Sequence, residues 1–297
     1  MNTVGGPGSA PLRSVVVGTD GSSASADAVQ WAVREAGLRR RPLCIVRVFD
    51  PVRTVASPLD ARSPFESQRI EAETSLSEAV GSVDADVDVS RLMVRGSVVR
   101  ELCALAVDAE MVVVGSRGHG GIASLLLGST SLKVALHASC PVVVVRPHTR
   151  LGLGPSAGRV VAGVDGGSRS EDVLEVAFAE CELRGVGLTA VHTYLPPDSA
   201  FTPDAAGWDW PQLHELEESL LAARLAGWRD KYPDVDVVAR TVRTYAAPAL
   251  IAESLGATLV VLSRGGQGRL REAVVGGACG AVLHHAECPV LVVPVGG

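Results

Sequence analysis

Two kinds of apolar pattern alternate along this chain. Short runs in which every position is apolar, such as Val15-Val16-Val17, Val112-Val113-Val114 and Val142-Val143-Val144-Val145, read as strands covered on both faces, the habit of parallel sheets. Between the runs the period changes. Val29, Ala32, Val33 and Ala36 fall at i, i+3, i+4 and i+7, one apolar stripe along a helix. The same spacing gathers Leu174, Ala177, Phe178 and Cys181 on one face. In the first half, strands are predicted at 14–19, 43–49, 86–94, 111–115 and 142–146, with a helix between each successive pair. Strands that alternate with helices are joined by right-handed crossovers, so their sheet is parallel and doubly wound.

The second half repeats the first. Ser14-Val15-Val16-Val17-Gly18-Thr19-Asp20-Gly21-Ser22 returns 145 residues later as Arg159-Val160-Val161-Ala162-Gly163-Val164-Asp165-Gly166-Gly167. His137-Ala138-Ser139-Cys140-Pro141-Val142 returns 148 residues later as His285-Ala286-Glu287-Cys288-Pro289-Val290. The predicted fold class is therefore α/β, with two doubly wound parallel five-stranded sheets, one domain at 13–147 and the other at 159–297. Residues 148–158, rich in Gly and Pro, read as a linker,. Residues 1–12 carry neither a basic nor an apolar export segment and read as a disordered lead-in,.

Composition narrows the partners. Apolar residues make up 47% of the chain and aromatics 4%, so both cores must rest on Val, Leu and Ala. A net charge of −6 without a basic block leaves no electropositive footprint, so nucleic acid is not an expected partner. No segment reaches the roughly 18 unbroken apolar residues of a membrane span. The six cysteines include no CxxC pair and sit among apolar neighbours, as buried thiols of a reducing cytoplasm do.

Ligands of doubly wound sheets bind beyond the carboxyl ends of the strands, where strand order reverses. Two loops there are unusual. The first, Gly18-Thr19-Asp20-Gly21-Ser22, offers a carboxylate either to a ribose hydroxyl or adenine amine, or to its own turn and helix cap. The second runs from Gly115 to Gly128 with five glycines in 14 residues. Glycines admit positive φ and let backbone N–H groups approach an anion. A helix opening at Ser129 adds unpaired N–H donors and the positive end of its dipole. The sum is a phosphate cradle, with a flexible glycine turn as the competing reading.

Gly115-x2-Gly118-x9-Gly128-Ser129 matches G-x2-G-x9-G-[ST], the ATP-binding pattern of the universal stress proteins. The chain resembles a tandem member of that family in further ways. Asp20-Gly21-Ser22 follows its first strand, Cys140-Pro141 precedes a valine strand, and Trp208-Asp209-Trp210-Pro211 precedes a long helix in the second copy. The resemblance implies a sheet of order 3-2-1-4-5, adenine-nucleotide-alpha-hydrolase-like, with ATP and its Mg2+ lying across the strand ends. It implies a nucleoside contact at Gly18, Thr19 and Asp20, with Val48 packed on adenine. Phosphate contacts are implied at Gly115, Ser116, Arg117, Gly118, His119, Gly128, Ser129, Thr130 and Ser131. It also implies a homodimer.

The second copy departs from the pattern. Read along the chain, Leu262-Ser263-Arg264-Gly265 replaces the first glycine by Leu262, Gly277 replaces the hydroxyl residue, and the spacer from Gly265 to Gly276 is ten residues. Weak ATP binding or none is expected there, with a structural or regulatory role. Chemistry is poorly provided for in either copy. There is no GxxxxGK[ST], no GxGxxG after a first strand, no SGGxDS loop, and no carboxylate between Gly115 and Ser129 to act as a base or hold a metal. His119 is the one titratable residue there, read as a phosphate contact or an exposed loop residue. His284-His285 beside Cys288 reads as packing rather than a metal site, and Leu213, Leu216, Leu220 and Leu221 among Trp208, Trp210 and Trp228 read as core burial or a subunit contact. Glu215, Glu217 and Glu218 read as a solvated helix face. Three functions compete: a nucleotide-responsive binding module, a slow ATPase or autokinase, and a scaffold without nucleotide.

Overall fold

A computed structural model of the 297-residue chain describes residues 10–50, 64–83, 86–118, 127–146, 154–167, 169–195, 209–265 and 277–294. It divides into two compact units, Met1–Pro147 and His148–Gly297.

The first unit runs β1 (Val15–Gly18), α1 (Ser23–Arg39), β2 (Leu43–Phe49), α2 (Pro64–Gly81), β3 (Val89–Arg95), α3 (Val98–Leu105), β4 (Met111–Gly115), α4 (Ser129–His137) and β5 (Val142–Val145). Its strands lie in the order β3-β2-β1-β4-β5, and every pairing is parallel. β1 sits centrally, with Val15 opposite both Leu43 and Met111. The all-valine strands are buried on both faces, as their patterning requires,. Helix α1 starts where Ser22 accepts from the Ser25 N–H as N-cap, and it ends at Arg40, which has φ 52°. Its predicted face of Val29, Ala32, Val33 and Ala36 is buried. β3 begins three residues later than expected, because pairing with β2 starts at Val89 opposite Leu43. Asp88 O still accepts from the Leu43 N–H at 2.8 Å, but Asp86 and Val87 before it form a bend.

The second unit repeats this with β6 (Val160–Val164), α5 (Arg169–Arg184), β7 (Leu188–Thr193), α6 (Trp210–Lys231), β8 (Val237–Val242), α7 (Ala246–Glu253), β9 (Leu259–Ser263), α8 (Gly277–His285) and β10 (Val290–Val293). The order is β8-β7-β6-β9-β10, again all parallel. Phe178 on α5 is buried in a stack with Trp228 of α6 and with Tyr232 just after that helix, their ring centroids 5.8 and 5.4 Å from its own.

Part of the stretch read as linker belongs to this unit. Residues 154–158 form a turn packed against it. Gly154 has φ 110°, and a Cβ there would collide with the Leu255 carbonyl. The Gly158 N–H donates to Gly256 O at 2.9 Å. Ser156 is fully buried, its Oγ 2.6 Å from Glu253 Oε2 and 2.9 Å from Thr189 Oγ1.

Register also corrects the alignment of the two glycine loops. Val112 pairs with Val142, and Val260 pairs with Val290, so from β4 onward the repeat distance is 148. Gly115 pairs with Val145 and Ser263 with Val293. The counterpart of Gly115 is therefore Ser263, not Leu262, which is a buried strand residue. Counted from Ser263, the second motif reads Ser263-x2-Gly266-x9-Gly276-Gly277. Its spacer is nine residues, as in the first copy.

Candidate functional site at the β1–β4 reversal

β1 and β4 are adjacent, and the chain leaves them toward opposite sides of the sheet, which places both unusual loops at one reversal point. Asp20 ends the first loop. Its Oδ1 accepts from the Ser22 N–H at 3.0 Å and the Ser22 hydroxyl at 2.6 Å. Ser22 Oγ in turn accepts from the Ser25 N–H at 3.2 Å. Thr19 is buried with Oγ1 3.2 Å from Ser25 Oγ. The turn-and-cap role foreseen for Asp20 is thus filled by one carboxylate oxygen. The other, Oδ2, lies where a Cβ on Gly118 would stand. The two loops meet at that pair.

The remaining residues separate into supports and exposed positions. A Cβ on Gly115 would lie 2.5 Å from the Ala24 carbonyl oxygen, so this glycine permits β4 to pass close to α1. Ser116 is buried, and its carbonyl accepts from the Gly128 N–H at 2.8 Å. Ser131, expected among the phosphate ligands, is buried, and its hydroxyl donates to Gly115 O at 2.7 Å. Arg117 and Thr130 are half-exposed, while Gly118 and Ser129 are exposed. Gly128 caps α4 with φ −63° and ψ 139°. The nearest described atom to a Cβ there is Ser116 O at 3.6 Å. A Cβ on Gly18 would lie 3.3 Å from Leu102 Cδ1. Val48 is buried one residue before the end of β2. His119 lies outside the described residues.

One neighbour is missing from the sequence reading. Arg47 Nη1 lies 3.4 Å from the Thr19 carbonyl, and its buried Nε has no hydrogen-bond partner among the described residues. An arginine inside the otherwise apolar run Leu43–Phe49 is the available signal.

The second unit treats the same place differently. At the position of Arg47 stands His192, whose Nδ1 lies 2.9 Å from Val164 O and whose Nε2 lies 2.9 Å from Glu217 Oε2 on α6. Glu217 is thus half-buried and paired, in contrast to the solvated face expected. Asp165 Oδ1 accepts from the Gly167 N–H at 3.1 Å and the Ser170 hydroxyl at 2.8 Å, while its buried Oδ2 has no partner among the described residues. Arg224 donates to the carbonyls of Gly166 and Gly167, and Arg169 donates to Gly265 O at 3.3 Å. Among the described residues no group of three or more His, Cys, Asp or Glu is placed to hold a metal, and no helix is long and apolar enough to cross a membrane.

Fold and loops together define a duplicated doubly wound α/β protein whose first unit carries a glycine-rich sequence at its strand-order reversal. The sequence model of the universal stress protein family matches residues 11–146 and again 157–294. A universal stress protein of Mycobacterium tuberculosis (strain ATCC 25618 / H37Rv) is 36% identical over 286 residues, covering 94% of this chain and 96% of the relative. One of Mycolicibacterium smegmatis is 36% identical over 293 residues, covering 96% and 98%. The crystal structure of a universal stress protein from Archaeoglobus fulgidus superposes with a TM-score of 0.67 at 19% identity, over 95% of this chain and 98% of that one. The chain belongs to the universal stress protein family, in a tandem arrangement.

Proposed function

We propose that the first unit binds ATP at the β1–β4 reversal, with Mg2+ carried on its phosphates, and that occupancy makes the protein a nucleotide-responsive regulator in a stress response. The observation that carries this reading is Gly128. Its φ is ordinary for any residue, and no described atom lies within 3.4 Å of the Cβ position. Neither the conformation nor any described neighbour asks for glycine there, whereas a phosphate approaching the N-terminus of α4 does. The exposed Ser129 and the backbone of Gly118 complete the cradle, and Asp20 takes the nucleoside. Arg47 adds a positive charge beneath the Thr19 carbonyl. In the second unit the loop carbonyls of Gly166 and Gly167 are taken up by Arg224, which favours the structural or regulatory role.

The protein acts in this reading as a cytoplasmic homodimer and as a binding module. Asp20 Oδ1 already accepts two hydrogen bonds, so the nearest carboxylate is poorly placed as a general base. A turnover above roughly one per minute, still far below the enzyme median of about ten per second, would favour the slow ATPase instead. The decisive experiment denatures the purified protein and identifies released nucleotide by mass spectrometry, comparing wild type with Gly118→Ala/Gly128→Glu. ATP in the wild type and none in the variant is the expected result. No nucleotide in either, with no heat on titrating Mg-ATP into the wild type, overturns the reading in favour of a scaffold.

A further inference from the structure

Helix α6 has two apolar faces, and its own unit uses one. Leu221 and Leu225 are buried, while Trp228 stacks on Phe178 and donates to Glu171 Oε2 at 3.0 Å. The second face runs through Leu213, Leu216, Leu220, Ala223 and Gly227, at alternating spacings of three and four. It is open. Leu216 and Leu220 are 55% and 50% exposed, Ala223 and Gly227 are exposed and Leu213 is half-exposed. A Cβ on Gly227 would meet no described atom within 4 Å beyond its own helix backbone. A 3-4 repeat kept up over four turns, about 21 Å of helix, is the seam of a helix pair.

We infer that this seam binds the same seam on a second copy of the chain, antiparallel, about a two-fold axis at Leu220. The inference rests on the homodimer proposed above and assigns its contact. Two features of α6 select this occupant and this direction. The first is size. Turned end for end about Leu220, the large Leu213 comes opposite the partner's Gly227, Leu216 comes opposite the partner's Arg224 and beside the partner's Ala223, and Leu220 meets itself. On either side of the axis the leucines face the small-residue end of the partner's seam, which makes the patch self-complementary, as an isologous contact requires. In a parallel pair Leu would face Leu at one end and Gly would face Gly at the other, leaving a gap. The second is charge. Glu215, Glu217 and Glu218 lie in the first half of α6, and Arg224, Arg229 and Lys231 in the second, with Asp230 the exception. Antiparallel packing sets acidic halves against basic halves and opposes the helix dipoles, whereas parallel packing sets like against like. A single helix pair is small beside the roughly 1,200–2,000 Å² of a stable interface, so the contact is reversible and depends on concentration.

Disulfide trapping in the full-length chain tests both partner and direction, with wild type as the control for the native cysteines. Under mild oxidation Leu220→Cys copies join to one another. Leu213→Cys copies do not self-join but do join Gly227→Cys copies in an equimolar mixture. Leu216→Glu/Leu220→Glu keeps the wild-type circular dichroism and weakens association at least tenfold in sedimentation velocity. Self-joining by all three single variants means a parallel pair and overturns the inference. No joining at position 220, in a protein that light scattering shows to be dimeric, also overturns it and leaves the homodimer to another surface. A monomer of 30.7 kDa at all concentrations overturns both.

Discussion

Three glycines of one motif are glycines for three different reasons. Gly115 gives room to a backbone: the Ala24 carbonyl 2.5 Å from its Cβ position belongs to α1 and cannot swing away. Gly118 gives room to the Asp20 carboxylate, and Gly128 to no described atom closer than 3.6 Å. Their alanine variants therefore separate stability from binding. Gly115→Ala is expected to lower the unfolding free energy by about 1–3 kcal/mol through overpacking, in urea titrations without nucleotide. Gly128→Ala stays within about 1 kcal/mol of wild type, the scale of an N-cap change, yet loses at least tenfold in ATP affinity by calorimetry. Equal loss of stability in the two variants would count against this division. Ser131→Ala leaves the buried Gly115 carbonyl without its donor and should cost about 1–3 kcal/mol, again in the absence of nucleotide.

At the scale of elements, patterning locates strands and helices to within a few residues, because a strand buried on both faces and a one-sided helix have different periods. It fails where the deciding partner is distant in sequence. β3 starts where β2 offers it a hydrogen-bonding edge, and the turn at 154–158 is ordered because Ser156 reaches Glu253, 97 residues away. Ser156→Ala removes a neighbour from that buried carboxylate, which Arg240 approaches only at 3.4 Å. The expected outcome is a loss of about 1–3 kcal/mol in the second unit, seen as an earlier urea transition of Trp fluorescence. Unchanged unfolding would mean that 154–158 is a tether after all. Both units also carry the same helical pair at equivalent places, Glu35 with Arg39 and Glu180 with Arg184, each glutamate buried. Charged residues on a core-facing side blur an apolar stripe, and the pairing that explains them becomes visible only in space.

Across the whole molecule five of the six thiols are buried, as isolated cysteines among Val, Leu and Ala suggest, while Cys103 is half-exposed. Burial pushes the thiols of Cys140, Cys181 and Cys279 up to about 12, from a reference of 9.0. A group whose pKa is higher in the folded state stabilises the fold below its unfolded pKa and loses that contribution as pH rises above it. Unfolding free energy should therefore hold between pH 7 and about 9 and fall between about 9 and 12, measured by urea titration in a pH series. At pH 8 these thiols should resist alkylation until urea is added. A flat profile across the alkaline range would contradict their burial.

The amino-acid sequence by itself determined that this is a duplicated doubly wound α/β chain and that its first copy carries a complete G-x2-G-x9-G-S loop. Both are local facts, set by the period of apolar residues and by the order of small residues along a few turns. Only the tertiary structure decided how the loops are used. Strand register makes Ser263 the counterpart of Gly115, where reading along the chain selects Leu262. Packing assigns Gly115 and Ser131 to holding β4 in place and leaves Gly128 with no described atom closer than 3.6 Å to its Cβ position. It also shows that α6 buries Leu221 while leaving Leu216 and Leu220 exposed. Hydrogen-bond pairing between strands and close approach of backbone atoms depend on residues scores of positions apart, and no local spacing records them.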